Sequence, residues 1–442
     1  MENKDLELLE KIRQQFNFGP YPRIEIERSP KNETNILYFH NLVTSYYLRN
    51  QKITSSEDKI ILDAGCGTGY KSLILAEANP GAKIIGIDIS EQSIELACQR
   101  FKYHNIENGE FHLLSIEELP NLGLEFDYIN CDELLYLFPE PVIALKAMKS
   151  VLKTEGIIRS NLHSSLQRFN WFRVQELFRM IGLMDSNPED IEIDIALETM
   201  KALKDGVDLK AKTWNPRYEG EDGKEGVLMN YLFQGDKGYT IPDMFAALRA
   251  ADLEFVSMVN WRQWNLMDLF KEPDNLPVFL AITLPETSVE QKLHLFELLH
   301  PVHRLLDFWC GHPNQSQPFI PVAEWSSSEW LDVRAHLHPQ LKTPAVKEEV
   351  VKSTTQLHPF EINQYLPVTG EQSLVDSSVA ACLLPLWEEA QSVPTLMERW
   401  QTLRPVHPVT FEPTTELEAF KVVASTLMGL EKSGFMLLER QA

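Results

Sequence analysis

The sequence predicts an α/β fold, a parallel sheet with helices packed on both faces. Short runs rich in β-branched residues, such as KIILD at 59–63 and KIIGID at 83–88, have the composition of buried strands. Helix-patterned segments follow them, as in YKSLILAEA and EQSIELACQRFKY. Further strands are predicted in GEFHLL, EFDYIN and GIIRSN. A regular alternation of strands and helices is typical of a parallel sheet that is covered on both sides.

The composition restricts the possible partners. The chain has 442 residues and a formal net charge of −23, and its basic residues are spread along its length. This charge repels phosphates, so we predict no nucleic-acid partner. No apolar run approaches the roughly 18 residues that a bilayer span needs, which predicts no membrane partner. Five scattered cysteines without a CxxC pair predict reduced thiols and a cytoplasmic location. His336 and His338 have no further ligands clustered near them, so no metal site is predicted.

A glycine-rich segment, ILDAGCGTGY, lies between the first predicted strand and the first predicted helix. Gly65, Gly67 and Gly69 alternate there, and taken alone they fit a dinucleotide-binding domain, a methyl-donor-binding domain or a tight turn. Glycine lets a backbone approach a ligand where a Cβ would clash, and ligands of parallel sheets bind at these strand ends. A dinucleotide fingerprint needs glycine where Tyr70 stands, and no GK[ST] follows for phosphate binding.

Four motifs in a fixed order resemble those of class I S-adenosylmethionine-dependent methyltransferases. They cover about residues 58–163 and read ILDAGCGTG, GIDIS, LLSIEELP and FDYINCDELLYLFPEP. The resemblance implies a Rossmann-like sheet of seven strands and S-adenosyl-L-methionine as the cofactor. Asp88, at the end of the second strand, agrees with this because a carboxylate can accept two hydrogen bonds from a ribose diol.

The resemblance also implies roles for single residues. Asp63 is expected to orient the glycine loop and to face the methionine amino group. Asp88 is expected to bind the ribose hydroxyls, and Ile89 to pack against adenine. The full set of cofactor-binding residues implied is Asp63, Gly65, Cys66, Gly67, Gly69, Asp88, Ile89, Ser115, Ile116, Glu117, Asn130 and Cys131.

One position departs from the family pattern. Ser115 stands where the adenine loop often begins with Asp, so Glu117 or the backbone amide of Ile116 is an alternative contact. Asn130 and Cys131 are expected beneath the sulfonium. The two cysteines of the set are interpreted as small space-filling residues and not as nucleophiles.

Methyl transfer is an in-line displacement, to which an enzyme contributes chiefly by aligning the reacting atoms. A base is needed only where the acceptor must lose a proton. The predicted catalytic residues at the strand ends are Asp132, Glu133 and His163, and His163 is preferred because its ordinary pKa lies near neutrality. An aromatic cage around a cationic amine or a sulfonium is a further hypothesis. Its candidate residues are Tyr21, Tyr46, Tyr47, Tyr136 and Tyr231.

The rest of the chain suggests additional parts. We predict an N-terminal helical segment or lid at 1–57 and a methyltransferase domain at 58–285, with a helical insertion at about 165–240 and a last strand in PVFLAITL. A helical connector at 286–345 and a small C-terminal α+β domain at 346–442 follow. This layout resembles bacterial, cyanobacterial-type methyltransferases with a regulatory segment and a C-terminal winged-helix-like domain, whose members include protein lysine methyltransferases.

The predicted function is therefore S-adenosylmethionine-dependent methyl transfer to an unidentified acceptor. The acceptor atom is nitrogen or oxygen, on a small molecule or a protein side chain. A non-catalytic S-adenosylmethionine-binding or protein-interaction module is the alternative, and an aminopropyl transferase that uses decarboxylated cofactor is a third hypothesis.

Overall fold

The computed structural model describes residues 11, 13–14, 21–220, 223–317, 319–368 and 372–440. Its strands, numbered in chain order, are β1 Ile60–Ala64, β2 Lys83–Asp88, β3 Gly109–Leu113, β4 Phe126–Cys131, β5 Leu152–His163, β6 Glu254–Met258, β7 Leu305–Gly311, β8 Val333–Leu337, β9 Phe360–Glu361, β10 Leu374–Val375, β11 Gln391–Ser392 and β12 Met436–Arg440.

The α-helices of these ranges are numbered in the same way. They are α1 Thr34–His40, α2 Leu42–Asn50, α3 Tyr70–Ala78, α4 Glu91–Tyr103, α5 Pro141–Ser150, α6 Phe169–Met180, α7 Asp190–Ala202, α8 Asp208–Thr213, α9 Gly223–Tyr231, α10 Ile241–Ala250, α11 Val278–Thr283, α12 Val289–Leu299, α13 Ser327–Leu331, α14 Pro344–Thr355, α15 Ser377–Leu383, α16 Val393–Leu403 and α17 Glu416–Lys432. Within the ranges described, no helix has the length and apolar character that crossing a bilayer requires.

A mixed sheet of seven strands dominates the described structure. Its order is β3-β2-β1-β4-β5-β7-β6, in which β1 to β5 pair in parallel and β7 runs antiparallel to both of its neighbours. Leu62, Ile85, Ile129 and Ile158, from four adjacent strands, belong to one buried apolar core. The predicted seven-stranded α/β sheet is confirmed, and the carboxyl ends of β1, β2, β4 and β5 meet at one edge.

The seventh strand lies elsewhere than predicted. The segment PVFLAITL forms α11 instead, and β7 supplies the strand. Val278 and Phe279 of α11 are 76% and 75% exposed, so this apolar run is not buried between strands, whereas Leu306 and Phe308 of β7 are fully buried. The predicted helical connector at 286–345 was therefore wrong in part, because it contains a strand of the main sheet.

The segment between β5 and α10 contains the helices α6 to α9. The apolar faces of these helices meet in a core of their own, which includes Phe178, Met200, Val227 and Leu232. An isolated bridge between Ser164 and Tyr239 closes the insertion at its base. It is therefore a helical subdomain between β5 and α10.

The described residues divide into two compact units. The first contains the described parts of Met1–Arg28, Lys59–Leu73 and Lys83–Pro313, and the second those of Ser29–Asp58, Ile74–Ala82 and Asn314–Ala442. The predicted N-terminal segment 1–57 is thus divided between the units. Residues 21–28 belong with the main sheet, and the helices α1 and α2 belong with the C-terminal elements.

The predicted boundary at 345/346 also differs from the structure. In the second unit, β8 is the central strand of a three-stranded antiparallel sheet with the order β11-β8-β12. Because β8 ends at Leu337 and pairs with the last strand of the chain, a domain that begins at 346 would lack its central strand. The hydroxyl of Tyr47 in α2 donates to Glu431 at 2.8 Å, which ties α2 to α17 in this unit. The winged-helix comparison stays a prediction.

Candidate functional site

The glycine loop turns sharply between β1 and α3. Gly65, Gly67 and Gly69 all have positive φ angles, of 78°, 50° and 79°. A Cβ on Gly67 would lie 2.1 Å from the carbonyl oxygen of Tyr21, and one on Gly69 would lie 2.7 Å from Cα of Ala97. The second and third glycines are therefore required by both conformation and space. A side chain at position 67 would displace Tyr21 as well as any ligand.

Asp88 connects the end of β2 to this loop. One of its carboxylate oxygens accepts from the backbone N–H of Gly67 at 2.9 Å, and the other accepts from that of Ser90 at 2.9 Å. Each oxygen retains a lone pair, and Asp88 and Ile89 are both half-buried at the sheet edge. Asp88 can therefore position the loop and accept hydrogen bonds from a diol at the same time.

Asp63 is buried and makes its contacts inside the protein. Its carboxylate accepts from the Ser72 hydroxyl at 2.6 Å and from the Asn130 amide at 2.9 Å, and its side chain is 1% exposed. Burial raises the pKa of Asp63 to about 6. The amide nitrogen of Asn130 must face the carboxylate, so its oxygen Oδ1 faces the other way. Within the described residues, this buried oxygen has no hydrogen-bond donor.

In the loop that is predicted to contact adenine, Ser115 makes its hydrogen bonds within the loop. The backbone N–H and the hydroxyl of Ser115 both donate to Glu118, at 3.2 and 3.0 Å. The side chain of Ile116 is 4% exposed and joins the core. Glu117 is half-buried, and its contact with the cofactor stays a prediction.

The two cysteines of the predicted set fill space, as interpreted from the sequence. Cys66 and Cys131 are 2% and 0% exposed. Burial raises the pKa of both thiols, that of Cys131 to about 12, so neither is a thiolate at neutral pH. The backbone N–H of Cys66 donates to Ile87 at 2.9 Å, which fixes the loop against β2.

Asp132 and Glu133 follow β4 at the same edge. Asp132 pairs with Lys71 at 2.5 Å and accepts from the amide of Asn161 at 2.5 Å. The oxygen of that amide accepts from the backbone N–H of Glu133 at 2.9 Å. Glu133 has a φ of 62°, an uncommon conformation for a residue other than glycine. Asn161 thus links β4 to β5 and holds this turn in place.

The side chain of Glu133 belongs to a polar network that we call the acceptor-end network (Glu133, Arg304, His163, Asp236 and Arg168). Arg304 donates to both carboxylate oxygens of Glu133 and, at 3.1 Å, to Nε2 of His163. Burial favours the neutral form of Glu133, but the Arg304 guanidinium outweighs it and holds the pKa of that carboxyl below its usual value. Glu133 is therefore ionised at neutral pH.

His163 occupies the interior of this network and is 2% exposed. Its ring stacks on Tyr136 with the ring centres 3.7 Å apart. Its Nδ1 lies 2.6 Å from Asp236, whose other oxygen accepts from Arg168 at 2.9 Å. Burial lowers the pKa of His163, so its neutral form predominates at neutral pH. With Nε2 accepting from Arg304, this histidine has no free lone pair to take a proton from an acceptor.

The predicted cage tyrosines have different surroundings. Tyr46 and Tyr47 belong to the second unit and are buried there. Tyr136 stacks on His163 and its hydroxyl donates to Glu133 at 3.1 Å, whereas the hydroxyl of Tyr231 donates to the carbonyl of Thr213 inside the insertion. Tyr21 is half-buried, and burial and then the charge of Glu133 raise the pKa of its hydroxyl. The aromatic-cage hypothesis stays a prediction, and Tyr21 and Tyr136 are its candidates beside Glu133.

Sequence reasoning missed Arg304, Asp236 and Arg168. Arg304 precedes β7, the strand that the sequence analysis placed elsewhere, and Asp236 and Arg168 come from the two ends of the insertion. None of the three belongs to a local motif. A network that joins residues so far apart in the chain becomes visible only when the strand order is known.

The residues at the sheet edge fit the cofactor that the motifs imply. The buried Oδ1 of Asn130, which has no donor among the described residues, is an acceptor suited to an ammonium group. The half-buried carboxylate of Asp88 retains lone pairs suited to ribose hydroxyls. S-Adenosyl-L-methionine carries both of these groups.

Comparisons with known proteins agree with this assignment. Residues 55–217 match the family described as "Methyltransferase domain". An uncharacterized protein of Synechococcus sp. is 26% identical over 273 residues, 61% of this chain and 63% of that protein. The tRNA U34 carboxymethyltransferase of Campylobacter lari is 32% identical over 102 residues, 23% of this chain and 34% of that enzyme. The structure of PKMT2 from Rickettsia typhi in complex with AdoHcy shares the fold, with a TM-score of 0.57 at 16% identity, covering 96% of this chain and 78% of that one.

The family match, the strand order and the motifs together show that residues 55–217 belong to a class I S-adenosylmethionine-dependent methyltransferase domain. S-Adenosyl-L-methionine is the cofactor of that class. The chain spans 63% of the length of the Synechococcus protein and 34% of the length of the Campylobacter enzyme.

Proposed function

We propose that this chain transfers a methyl group from S-adenosyl-L-methionine to a nitrogen atom of a cationic acceptor. The observation that carries the proposal is the ionised Glu133, held by Arg304 at the edge where the cofactor motifs end. An anionic carboxylate in a partly buried site favours an acceptor that presents N–H donors and positive charge. The names of the relatives favour a transferase over a non-catalytic binding module.

The contacts of each residue indicate its proposed role in binding or in transfer. Asp88 and the glycine loop would hold the nucleoside, and Asn130, oriented by Asp63, would hold the ammonium group. When bound, the cofactor supplies an electrophilic methyl group. The acceptor amine would bind in its ammonium form and lose one proton to water, because an ammonium nitrogen has no lone pair. Glu133 would then accept a hydrogen bond from a remaining N–H and direct the freed lone pair at the methyl carbon, so that the N–C bond forms as the S–C bond breaks and S-adenosylhomocysteine leaves.

His163 has a different role in this proposal from the one that the sequence suggested. Its Nε2 accepts from Arg304, and Arg304 in turn orients Glu133. We therefore propose that His163 and Asp236 position Arg304, and that neither touches the acceptor. Asp132 is paired with Lys71 and Asn161 and serves to fix the turn that carries Glu133.

The acceptor is proposed to be a basic protein segment or an amine. One relative is named for tRNA. The net charge of −23 in this chain opposes a nucleic-acid acceptor, which needs a basic surface. The five cysteines are free thiols, which supports a reducing compartment such as the cytoplasm.

The proposal is tested with a cell extract and methyl-labelled S-adenosyl-L-methionine. We expect label in protein or in small amines, resistant to nuclease and lost with Glu133→Gln. Label that is released by nuclease would show that the acceptor is a nucleic acid. Label that persists at the wild-type level in Glu133→Gln would remove Glu133 from the site.

A further inference from the structure

Residues 21–28, here called the N-terminal strap, run along the glycine loop and α4. The backbone N–H of Thr68 donates to the carbonyl of Tyr21 at 3.1 Å, and the Thr68 hydroxyl donates to that of Pro22 at 2.8 Å. The loop that forms the cofactor edge is thus also the surface on which the strap rests.

Arg100, in α4, binds the strap through hydrogen bonds to its backbone carbonyls. Its side chain is 1% exposed. The guanidinium donates to the carbonyl of Ile24 at 2.7 Å, to that of Glu25 at 2.7 Å and to that of Thr68 at 3.0 Å. One turn further along the helix, His104 donates to Ile26 at 2.8 Å. A planar fork of five N–H donors reaches three carbonyls here in a fixed geometry, whereas an ammonium group is a single point with three donors.

The same guanidinium contacts both the strap and the loop. Thr68 donates to Tyr21 through its N–H and accepts from Arg100 through its carbonyl, so the conformation of the loop and the closure of the strap are coupled. Arg100 also lies over the ring of Tyr70, 5.4 Å from its centre, at the first residue of α3. Arg100 therefore contacts the strap, the glycine loop and the start of α3.

Tyr21 extends from the cofactor loop to the acceptor end. Its carbonyl is the group that a Cβ on Gly67 would meet, and its hydroxyl lies within electrostatic reach of Glu133 and Arg304. The strap therefore crosses the edge between the glycines and the acceptor-end network. A ligand held at Asp88 and Asn130 lies beside this crossing.

We infer that Arg100 is a positioning residue that fastens the N-terminal strap across the cofactor edge, so that cofactor enters and leaves at the rate at which the strap is released from Arg100. The inference rests on the proposed function, since it requires that the chain binds the cofactor. It goes further in assigning the control of exchange to a residue outside the cofactor contacts.

The test uses the full chain and S-adenosylhomocysteine, the demethylated cofactor, as a non-reacting probe. Stopped-flow binding gives association and dissociation rates for the wild type, Arg100→Lys, Arg100→Met and the control Lys102→Met, an exposed residue of the same helix. We expect Arg100→Met to release the probe about tenfold faster or more, because a single hydrogen bond to a charged group is worth that factor. Arg100→Lys should be intermediate, and Lys102→Met should match the wild type.

Limited trypsin digestion gives a second readout. Arg23 and Arg28 are exposed in the strap, and mass spectrometry identifies cleavage after each of them. We expect Arg100→Met to be cut faster than the wild type at these two sites, and the probe to slow cleavage of the wild type. If Arg100→Met fails to fold, as judged by circular dichroism, Thr68→Val removes the hydroxyl bond to Pro22 and should accelerate release in the same direction.

The outcomes separate the two proposals. Absence of probe binding by the wild type contradicts the proposed function. The inference is overturned if the wild type binds the probe and the folded variants Arg100→Lys and Thr68→Val release it at the wild-type rate. This holds whatever their melting temperatures, because a purely structural role would change stability alone.

Discussion

The Nδ1 atom of His163 lies 2.6 Å from a carboxylate oxygen of Asp236, and both side chains are buried. The carboxylate can only accept, so Nδ1 carries the hydrogen and Nε2 is left as the acceptor for Arg304. This pairing changes His163 from a candidate base into a support for Arg304.

We predict that His163→Ala leaves cofactor affinity nearly unchanged but lowers stability by about 1–3 kcal/mol, because it leaves Asp236 without one of its buried partners. Denaturant unfolding and calorimetry measure the two quantities. Since burial lowers the pKa of the folded-state His163, the stability that the neutral ring contributes is present above about pH 6.5 and is lost as the pH falls through the folded pKa. A histidine that acted as the base would instead give a pH–rate limb that disappears in the variant.

Replacement of Glu133 should separate binding from transfer. We predict that Glu133→Gln lowers the rate of label transfer about 10²-fold, since a neutral amide no longer attracts a cationic nitrogen or accepts as strongly from it. Cofactor affinity should stay within about twofold, because Asp88 and Asn130 are unchanged. Glu140→Gln, an exposed residue before α5, is the matched control. A parallel loss in both variants would point to a general defect.

The contribution of Asp63 to the free energy of unfolding changes with pH in the opposite direction to that of most carboxylates. Burial raises its folded-state pKa to about 6 from an ordinary value of 3.8, so the folded protein binds this proton more tightly than the unfolded chain. Its contribution to the free energy of unfolding is fully present below about pH 4 and is lost as the pH rises to about 6.

We predict that the difference in free energy of unfolding between the wild type and Asp63→Asn falls by about 2 kcal/mol between pH 4 and pH 6 and levels off above about pH 7. Urea unfolding across this range measures it. A difference that does not vary with pH would mean that Asp63 is ionised in the fold as readily as in water.

Asp88→Ala should weaken cofactor binding by about 1.5–3 kcal/mol, the value of hydrogen bonds to a charged group. The variant also removes the acceptor for the backbone N–H of Gly67, so the loop itself becomes less ordered. Calorimetry measures the change, with Glu91→Gln, an exposed neighbour in α4, as the control. Unchanged affinity would show that another residue holds the ribose.

Truncation after residue 345 should not give a stable protein. It removes β12 and β11, the two partners of β8, and it leaves α2 without Glu431. The sequence predicts a separate domain at 346–442, but the pairing of β8 with β11 and β12 opposes this boundary. Expression of residues 1–345 checks this, and a soluble chain with a wild-type melting transition would contradict it.

The local motifs could be predicted from the sequence because each depends on neighbouring residues. Gly67 and Gly69 are fixed by backbone conformation, and Asp88 by its place at the end of a strand. The acceptor-end network could not be predicted, because Arg304, His163 and Asp236 meet only when β7 inserts beside β5 and the insertion returns to the sheet. The misplaced seventh strand has a similar cause, since a short apolar run fits a strand and a helix equally well.

Calorimetric titration of the full chain with S-adenosylhomocysteine at neutral pH tests the central claim most directly. We predict one site with a dissociation constant in the micromolar range, about −8 kcal/mol. Asp88→Ala should bind more weakly under the same conditions. A melting transition recorded without cofactor first shows that the wild-type protein is folded. If the folded protein then gives no detectable heat of binding, the assignment of this edge of the sheet as the cofactor site is contradicted.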